Sequence, residues 1–199
     1  LKTVYEHTLG IDFEVLVINN EADEEGKQRV LTAFPDVQWV EMHYNAGFGR
    51  ANNVGMRLAK GRYFLLLNAD TLVVDNVIVK CLKRMEADQS IVAAAAHQYD
   101  KNGVPMPFYQ SFNDFRKSFF IIPPGKIFSN LLNRLLPEPV YADPEERDWL
   151  VGAFFMVRRE AFDLTGGFEE CLFMYGEDVE WSGRLRKLGR LCLFDDCKF

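Results

Sequence analysis

Residues 45–71 read NAGFGRANNVGMRLAKGRYFLLLNADT, and this stretch decides the fold class. Its first half predicts a helix over Arg50–Lys60, because small and apolar residues recur on one helical face before a glycine ends it. Its second half, Tyr63–Leu67, is a continuous apolar run, which is typical of a strand buried on both faces of a parallel sheet. The polar residues Asn68 and Asp70 therefore follow directly on a buried strand.

Strand and helix patterns alternate on both sides of this stretch. Further apolar runs predict strands at Glu14–Asn19, Val37–Met42, Ile91–Ala96, Gly152–Val157 and Arg190–Phe194. Helices are predicted from the acidic segment 21–30, after a cap at Asp75, from Arg159 to the Gly166-Gly167 pair, and from Glu177-Asp178 onward. Residues 1–96 thus predict a doubly wound α/β half-sheet.

The composition bounds the class of protein. A chain of 199 residues with 48% hydrophobic and 26% charged residues is typical of one globular domain. With 23 Lys and Arg against 29 Asp and Glu, the net charge of −6 argues against a general nucleic-acid binder. The four cysteines have neither C-x-x-C nor zinc spacing, which favours reduced thiols in a cytoplasmic protein, and no apolar run has the roughly 18 residues of a membrane span.

Asp70 stands where open α/β sheets bind ligands, beyond the carboxyl end of a strand. Asn, Asp and Thr also favour turns, so Asp70 and Thr71 have a purely structural interpretation as well. The functional interpretation is a site for Mg²⁺ or Mn²⁺, in which the Asp70 carboxylate and the Asn68 amide oxygen bind the cation beside a diphosphate.

The Gly47-Phe48-Gly49 turn lies at the start of a predicted helix, where backbone N–H groups favour an anion. The turn is similar to the G-x-G-x-x-G fingerprint of dinucleotide-binding proteins, and Asp70 follows at about the spacing of its ribose-binding acid. Asn52 replaces the third glycine, so a dinucleotide-binding domain is an alternative with an incomplete motif.

A second cluster of carboxylates opens the helix predicted from Glu177 and Asp178. One interpretation is that these side chains cap a helix whose last turn is basic. The other is that a carboxylate placed after this glycine-rich and aromatic segment serves as general base for a hydroxyl nucleophile.

Three blocks, in this order and spacing, resemble family 2 glycosyltransferases, and most closely the rhamnosyltransferase-like branch. They are residues 45–71, WLVGAFFMVRREAFDLTGGFEE (149–170) and FMYGEDVEWSGRLRKLG (173–189). The resemblance implies a GT-A fold, with a mixed and mainly parallel central sheet flanked by helices. It also implies an enzyme that transfers a sugar from a nucleotide diphosphate donor to an acceptor hydroxyl, with inversion at the anomeric carbon.

The resemblance also implies roles for individual residues. Asn68 and Asp70 match the family's D-x-D-type segment, which holds the metal and the donor diphosphate. Asp178 matches the proposed base, with Glu177 beside it. The remaining matches lie on the donor side and are Asn19, Gly47, Arg50 and Asn53. A cation at Asp70 would offset charge that builds on the departing diphosphate.

By the same resemblance the chain is one domain in three parts: a nucleotide-sugar-binding half (1–96), a variable insertion (97–148) and an acceptor and catalytic half (149–199). Ile18 stands where the family has an aspartate that contacts the nucleobase. The family's opening strand and a later metal-reaching histidine are missing, so we expect a chain truncated at both ends. A catalytically silent GT-A-like binding module is therefore an alternative to the enzyme.

The insertion (97–148) carries the sequence features that bear on which molecules the protein binds. Its amphipathic stretch Phe128–Leu136 either packs in the core or rests on a membrane surface. Its aromatic residues form either a local cluster or a platform for a sugar or lipid; they are Phe108, Tyr109, Phe112, Phe115, Phe119 and Phe120. The expected partners are a nucleotide-diphosphate sugar and a saccharide or lipid-linked saccharide acceptor of bacterial-type surface polysaccharide synthesis. The expected location is the cytoplasm, with the inner face of the membrane left open.

Overall fold

A computed structural model of the chain describes residues 1–21, 23–106, 143 and 145–199. The helices are α1 (Lys2–His7), α2 (Glu24–Ala33), α3 (Phe48–Leu58), α4 (Val77–Ala87), α5 (Arg159–Thr165) and α6 (Glu177–Leu185). The strands are β1 (Leu16–Asn19), β2 (Gln38–Glu41), β3 (Tyr63–Leu67), β4 (Ile91–His97), β5 (Phe154–Arg158) and β6 (Arg190–Lys198). Each of the six strands predicted from the sequence is present, and the predicted helices are present with shifted ends.

The strands form two sheets in the described part of the chain. Strands β1 and β2 pair in parallel, and the second sheet has the order β3-β5-β4-β6. Strand β5 is antiparallel to both of its neighbours, whereas β4 and β6 are parallel. The four-stranded sheet is therefore mixed, as expected, with two antiparallel pairs and one parallel pair.

The position of β5 corrects the prediction that residues 1–96 form a half-sheet by themselves. Strand β5, from the C-terminal part of the chain, lies between β3 and β4. Periodicity reports that a strand is buried on both faces but not which strand lies beside it. Because Leu67 at the end of β3 pairs with Phe154 at the start of β5, the residues before β5 lie beside Asn68.

The core lies on both faces of the four-stranded sheet. Successive residues of β5 alternate between the two faces, with Phe155 and Val157 in one cluster and Phe154 and Met156 in the other. Residues of α3, α5 and α6 cover the first cluster, and α4 covers the second. This arrangement fixes α3 and α6, which carry candidate site residues, on the same face of the sheet.

Two local details differ from or fall outside the predictions. The N-cap of α4 is Asn76, so the prediction of a cap at Asp75 is wrong; the Asp75 carboxylate instead pairs with Lys80. The predicted aromatic platform and the Phe128–Leu136 stretch lie outside the described residues.

The four cysteines are free thiols, as expected; they are Cys81, Cys171, Cys192 and Cys197. No helix in the described ranges has the length and apolar character needed to cross a membrane.

Candidate active site

The backbone of Gly152 and Ala153, just before β5, joins the two predicted carboxylate sites. The Asn68 N–H donates to the Ala153 carbonyl at 3.1 Å. The Gly152 N–H points to Oδ2 of Asp178 at a longer 3.4 Å. The segment that follows β3 and the first turn of α6 therefore both contact one two-residue segment, although they are more than a hundred residues apart in sequence.

The segment after β3 forms a turn that leaves the Asp70 carboxylate exposed. The Asn68 carbonyl accepts hydrogen bonds from the Thr71 N–H at 3.2 Å and from its hydroxyl at 2.7 Å. The Asp70 carboxylate and the Asn68 side-chain amide accept no hydrogen bond from the residues that the structure describes. The turn predicted by the structural interpretation is thus present, and it presents two oxygen ligands of the kind that Mg²⁺ and Mn²⁺ prefer.

Asp178 is half-buried in the first turn of α6, and burial raises the pKa of its carboxyl above the ordinary aspartate value. Its Oδ1 accepts the Val179 N–H at 2.8 Å, which opposes part of that shift. Glu177 is 5% exposed, and its Oε2 is buried without a hydrogen-bond partner among the described residues. Burial, followed by the charge of Asp178, raises the pKa of the Glu177 carboxyl. A carboxylate whose pKa lies nearer to neutrality is a better proton acceptor.

The Gly47 turn is held from two sides. Gly47 has φ +82°, and a Cβ there would overlap the Phe173 carbonyl oxygen, so only glycine fits. The Asn20 side chain donates to the Gly47 carbonyl at 3.1 Å, and the Phe173 carbonyl accepts the Phe48 N–H at 3.3 Å. The Gly47 N–H is bonded to the Asn45 side chain. Two of the N–H groups predicted to approach an anion are therefore engaged within the protein.

Asn53 and Arg50 of α3 hold the loop that follows α5. Asn53 is completely buried; its amide N–H donates to the Phe168 carbonyl at 2.9 Å, and its carbonyl accepts the Phe168 N–H at 2.9 Å. Arg50 Nε donates to the Glu170 carbonyl at 2.8 Å, and Arg57 pairs with the Glu170 carboxylate at 2.8 Å. These contacts fix the chain that leads from Gly166 toward α6.

Asn19 lies at the end of β1, where its amide donates to Oε2 of Glu41 at 2.8 Å. The structure therefore brings the Asn68 backbone and the Asp178 carboxylate to one segment, with Asp70 two residues beyond Asn68 in sequence. It uses the side chains of Asn19 and Asn53 in internal hydrogen bonds. The sequence reasoning missed Asn20 and Gly152. Asn20 follows a strand and Gly152 precedes one, but only the long-range contacts show what each residue holds.

Replacing Gly152 with alanine tests the segment between the two carboxylate sites. A Cβ at Gly152 would lie 2.8 Å from Cζ of Phe48, whose ring packs against Phe168. We expect Gly152→Ala to lower the free energy of unfolding by about 1–3 kcal/mol, as overpacking of a closed site does. In the control Gly183→Ala, within α6, the new Cβ has no atom within 4 Å apart from the backbone of its own helix, and stability should rise by up to about 1 kcal/mol. Chemical denaturation measures both, and an unchanged Gly152→Ala protein would contradict this geometry.

Comparison with known proteins identifies the fold and the family of this chain. The chain aligns over 99% of its length with 50% of a mannosyltransferase from Pyrobaculum calidifontis, solved in complex with GDP-Man and Mn²⁺, at a TM-score of 0.66 and 17% identity. This likeness confirms the GT-A fold. The model of glycosyl transferase family 2 matches residues 1–165. The chain therefore belongs to glycosyl transferase family 2, and the dinucleotide-binding alternative gains no support.

Two curated relatives are rhamnosyltransferases. An N-acetylglucosaminyl-diphospho-decaprenol L-rhamnosyltransferase of Mycobacterium tuberculosis (strain CDC 1551 / Oshkosh) is 48% identical over 54 residues, which are 26% of this chain and 18% of the relative. The rhamnosyltransferase WbbL of Escherichia coli (strain K12) is 26% identical over 154 residues, which are 72% of this chain and 55% of the relative. The chain thus spans at most about half the length of these relatives.

Proposed function

We propose that this chain is the catalytic domain of an inverting, metal-dependent glycosyltransferase, which moves a sugar from a nucleotide diphosphate donor to an acceptor hydroxyl. The observation that carries the proposal is the Gly152–Ala153 segment, whose Ala153 carbonyl accepts the Asn68 N–H and whose Gly152 N–H points to the Asp178 carboxylate. A donor group held at Asn68 and Asp70 and a base at Asp178 then belong to one site, which the in-line attack of an acceptor requires.

Asp70 and Asn68 fit a divalent cation because they offer hard oxygen ligands that the described residues leave free. The described ranges contain no cluster of three or more His, Cys, Asp or Glu side chains that could hold a cation. The diphosphate of the donor would complete the ligand set, as in sites that use one or two carboxylates with substrate phosphates. The bound cation would stabilise the negative charge of the departing diphosphate.

Asp178 is the base in this proposal, and it accepts the proton of the acceptor hydroxyl. The Gly152 and Val179 N–H groups orient its carboxylate, and burial keeps the pKa of that carboxyl raised. Glu177 lies buried beside it in the first turn of α6. Attack from the side opposite the diphosphate inverts the anomeric carbon.

On the donor side, Gly47 and Arg50 border the nucleotide, whereas Asn53 and Asn19 act as positioning residues. The amide of Asn53 is bonded to Phe168 and the amide of Asn19 to Glu41, so both act through the chain segments that they hold. The names of the two rhamnosyltransferase relatives and the lipid-linked sugar in one of them support a saccharide or lipid-linked saccharide acceptor. The proposed setting is surface polysaccharide synthesis at the cytoplasmic face of a membrane.

One observation favours the alternative of a catalytically silent binding module. Ile18 stands at the family's base-contacting aspartate and packs against Gly55 of α3, 3.1 Å from the position of a Cβ there. Asn19 beside it is bonded to Glu41. The end of β1 therefore offers no free carboxylate to a nucleobase, and the following binding measurement separates the two functions.

We expect Asp70→Asn to weaken binding of UDP or GDP by about tenfold or more in the presence of Mn²⁺, because one charged oxygen ligand of the cation is lost. Isothermal titration calorimetry with each nucleotide, with and without Mn²⁺, measures the effect. The matched control is Asp163→Asn, an exposed aspartate on α5, which should bind like the wild type. If the wild type binds neither nucleotide, or if Asp70→Asn binds equally well, the proposed donor site is wrong.

A further inference from the structure

The loop before α6 exposes three consecutive large side chains, those of Phe173, Met174 and Tyr175. Tyr175 is 85% exposed, the highest value among the exposed large hydrophobic residues of the described chain. Single exposed apolar residues are ordinary, but a contiguous apolar patch marks a binding surface. No ring contact joins Tyr175 to another described aromatic residue, so its phenol ring is free to meet a ligand.

Tyr175 also has an unfavourable backbone conformation. Its φ is +68°, in the left-handed region that bulky residues rarely adopt, and only His43 shares a positive φ among the described non-glycine residues. Asparagine or glycine would adopt this conformation at lower cost. Tyr175 therefore contributes neither core packing nor a favourable turn, and strain of this kind is found where function requires a particular side chain.

The loop is fixed at the proposed site. The Phe173 carbonyl accepts the Phe48 N–H at 3.3 Å and covers Gly47, so the loop is attached to the donor-side turn. Tyr175 precedes the proposed base, Asp178, by only three residues. Several carboxylates flank the loop in sequence: Glu170 and Glu180 pair with Arg57 and Arg184, whereas Glu169 and Asp178 form no ion pair with the described residues. Carboxylates such as those of Glu169 and Asp178 accept hydrogen bonds from sugar hydroxyls.

We infer that Tyr175 is an acceptor-binding residue, whose ring stacks against the C–H face of the acceptor pyranose and directs its hydroxyl to Asp178. The inference rests on the proposed function, because it assigns the acceptor to that same site. Aromatic rings provide a large apolar surface at little entropic cost, and their polar edge tolerates water. The class of ligand is thus a neutral pyranose, recognised through one apolar face.

The test compares Tyr175→Asn, which removes the ring but suits a left-handed backbone, with Tyr175→Phe, which keeps the ring. The matched control is Leu164→Asn, which removes a 75% exposed apolar side chain from α5. Saturation-transfer NMR with methyl N-acetylglucosaminide and methyl rhamnoside measures sugar binding without catalysis. In parallel, donor hydrolysis and transfer to an N-acetylglucosaminyl diphosphate carrying a short alkyl chain are followed with a panel of nucleotide sugars.

We expect Tyr175→Asn to lose the saturation-transfer signal and to raise KM for the acceptor about fivefold to tenfold. Donor hydrolysis by Tyr175→Asn should stay within about twofold to threefold of wild type. In Tyr175→Phe and Leu164→Asn, the saturation-transfer signal and the acceptor KM should stay within the same range. The melting temperature of Tyr175→Asn should be equal or higher. A Tyr175→Asn protein with unchanged sugar binding and acceptor KM would overturn the inference.

Three other outcomes also test the inference. If Tyr175→Asn lost donor hydrolysis together with transfer, the loop would serve the donor and the inference would be wrong. If the variant lost binding to phosphatidylcholine–phosphatidylglycerol vesicles but not to methyl glycosides, the loop would be a membrane contact instead. If the wild type hydrolysed no donor but its sugar binding depended on Tyr175, the sugar-binding role of Tyr175 would be supported and the proposed transferase function would be wrong.

Discussion

Asp178→Asn should lower the rate of sugar transfer by about 10²–10⁴-fold, because the acceptor hydroxyl loses the group that takes its proton. Donor binding should be retained, since the proposed ligands of the cation and diphosphate are Asn68 and Asp70, and Asp178 contacts the Gly152 N–H rather than either of them. The measurement is the initial rate of transfer at saturating donor, with NMR of the product showing an inverted anomeric configuration for the wild type. A variant with wild-type transfer, or a wild type that retains configuration, would show that Asp178 is not the base of a single displacement.

The pH dependence of the same variant follows from burial. Burial raises the folded-state pKa of Asp178 above its unfolded value, so above the folded pKa the native state carries an unfavourable buried charge. Below the unfolded pKa of about 3.9 the carboxyl is neutral in both states and the effect is absent. Asp178→Asn should therefore melt at a higher temperature than wild type at pH 7.5, and the difference should shrink as the pH falls toward 4.

The pH dependence of wild-type activity should reflect the raised pKa of the Asp178 carboxyl. The acid limb of its pH–rate profile should have a midpoint above the ordinary aspartate value, because the base must be ionised. For stability, an Asp178→Asn protein that is less stable than wild type at neutral pH would contradict the prediction. It would indicate that the hydrogen bonds of Asp178 contribute more to stability than the burial of its charge costs.

Asn53→Ala should destabilise the fold by about 3 kcal/mol. The change leaves the buried Phe168 N–H and carbonyl without partners, and each unsatisfied buried group costs about 1–3 kcal/mol. It also frees Glu170 from one of its two side-chain partners, Asn53 and Arg57. Because this loop leads to the base, transfer should fall together with stability. Urea denaturation with a constant m-value would measure the free energy directly.

The adjacent Asn52 supplies the control. Its amide makes a single hydrogen bond, to the Phe48 carbonyl one helical turn earlier, at 2.9 Å. Asn52→Ala should change stability by less than about 1 kcal/mol, since alanine is the better helix former. Equal effects of the two substitutions would mean that the buried amide of Asn53 does not hold the Phe168 segment.

The sequence predicts most of the elements of this fold because each rests on local pattern. Tyr63–Leu67 appears with the predicted ends, and the Gly166 stop has the left-handed conformation expected of a helix C-cap. The order of the strands escaped prediction because nothing local to β5 says that it enters between β3 and β4. Which strands pair in a sheet depends on contacts between residues far apart in sequence, and hydrophobic periodicity does not report those contacts.

The candidate site shows the same difference between local and long-range information. Residue type, position after a strand or before a helix, and family resemblance together predict Asn68, Asp70 and Asp178 as site residues. They do not predict the internal bonding of Asn53, because a buried amide and a ligand-binding amide look alike in sequence. The substitution at Ile18 could be recognised, but only the structure shows that its side chain packs against Gly55.

The most direct test of the central claim, that Asp70 and Asp178 serve one reaction, is a crystal structure with a nucleotide diphosphate and Mn²⁺. The account predicts that the Asp70 carboxylate binds the cation beside the diphosphate and that Asp178 lines the same cleft on the far side of the bound sugar position. A diphosphate bound away from Asp70, or an Asp178 carboxylate closed off from the nucleotide by protein atoms, would contradict it.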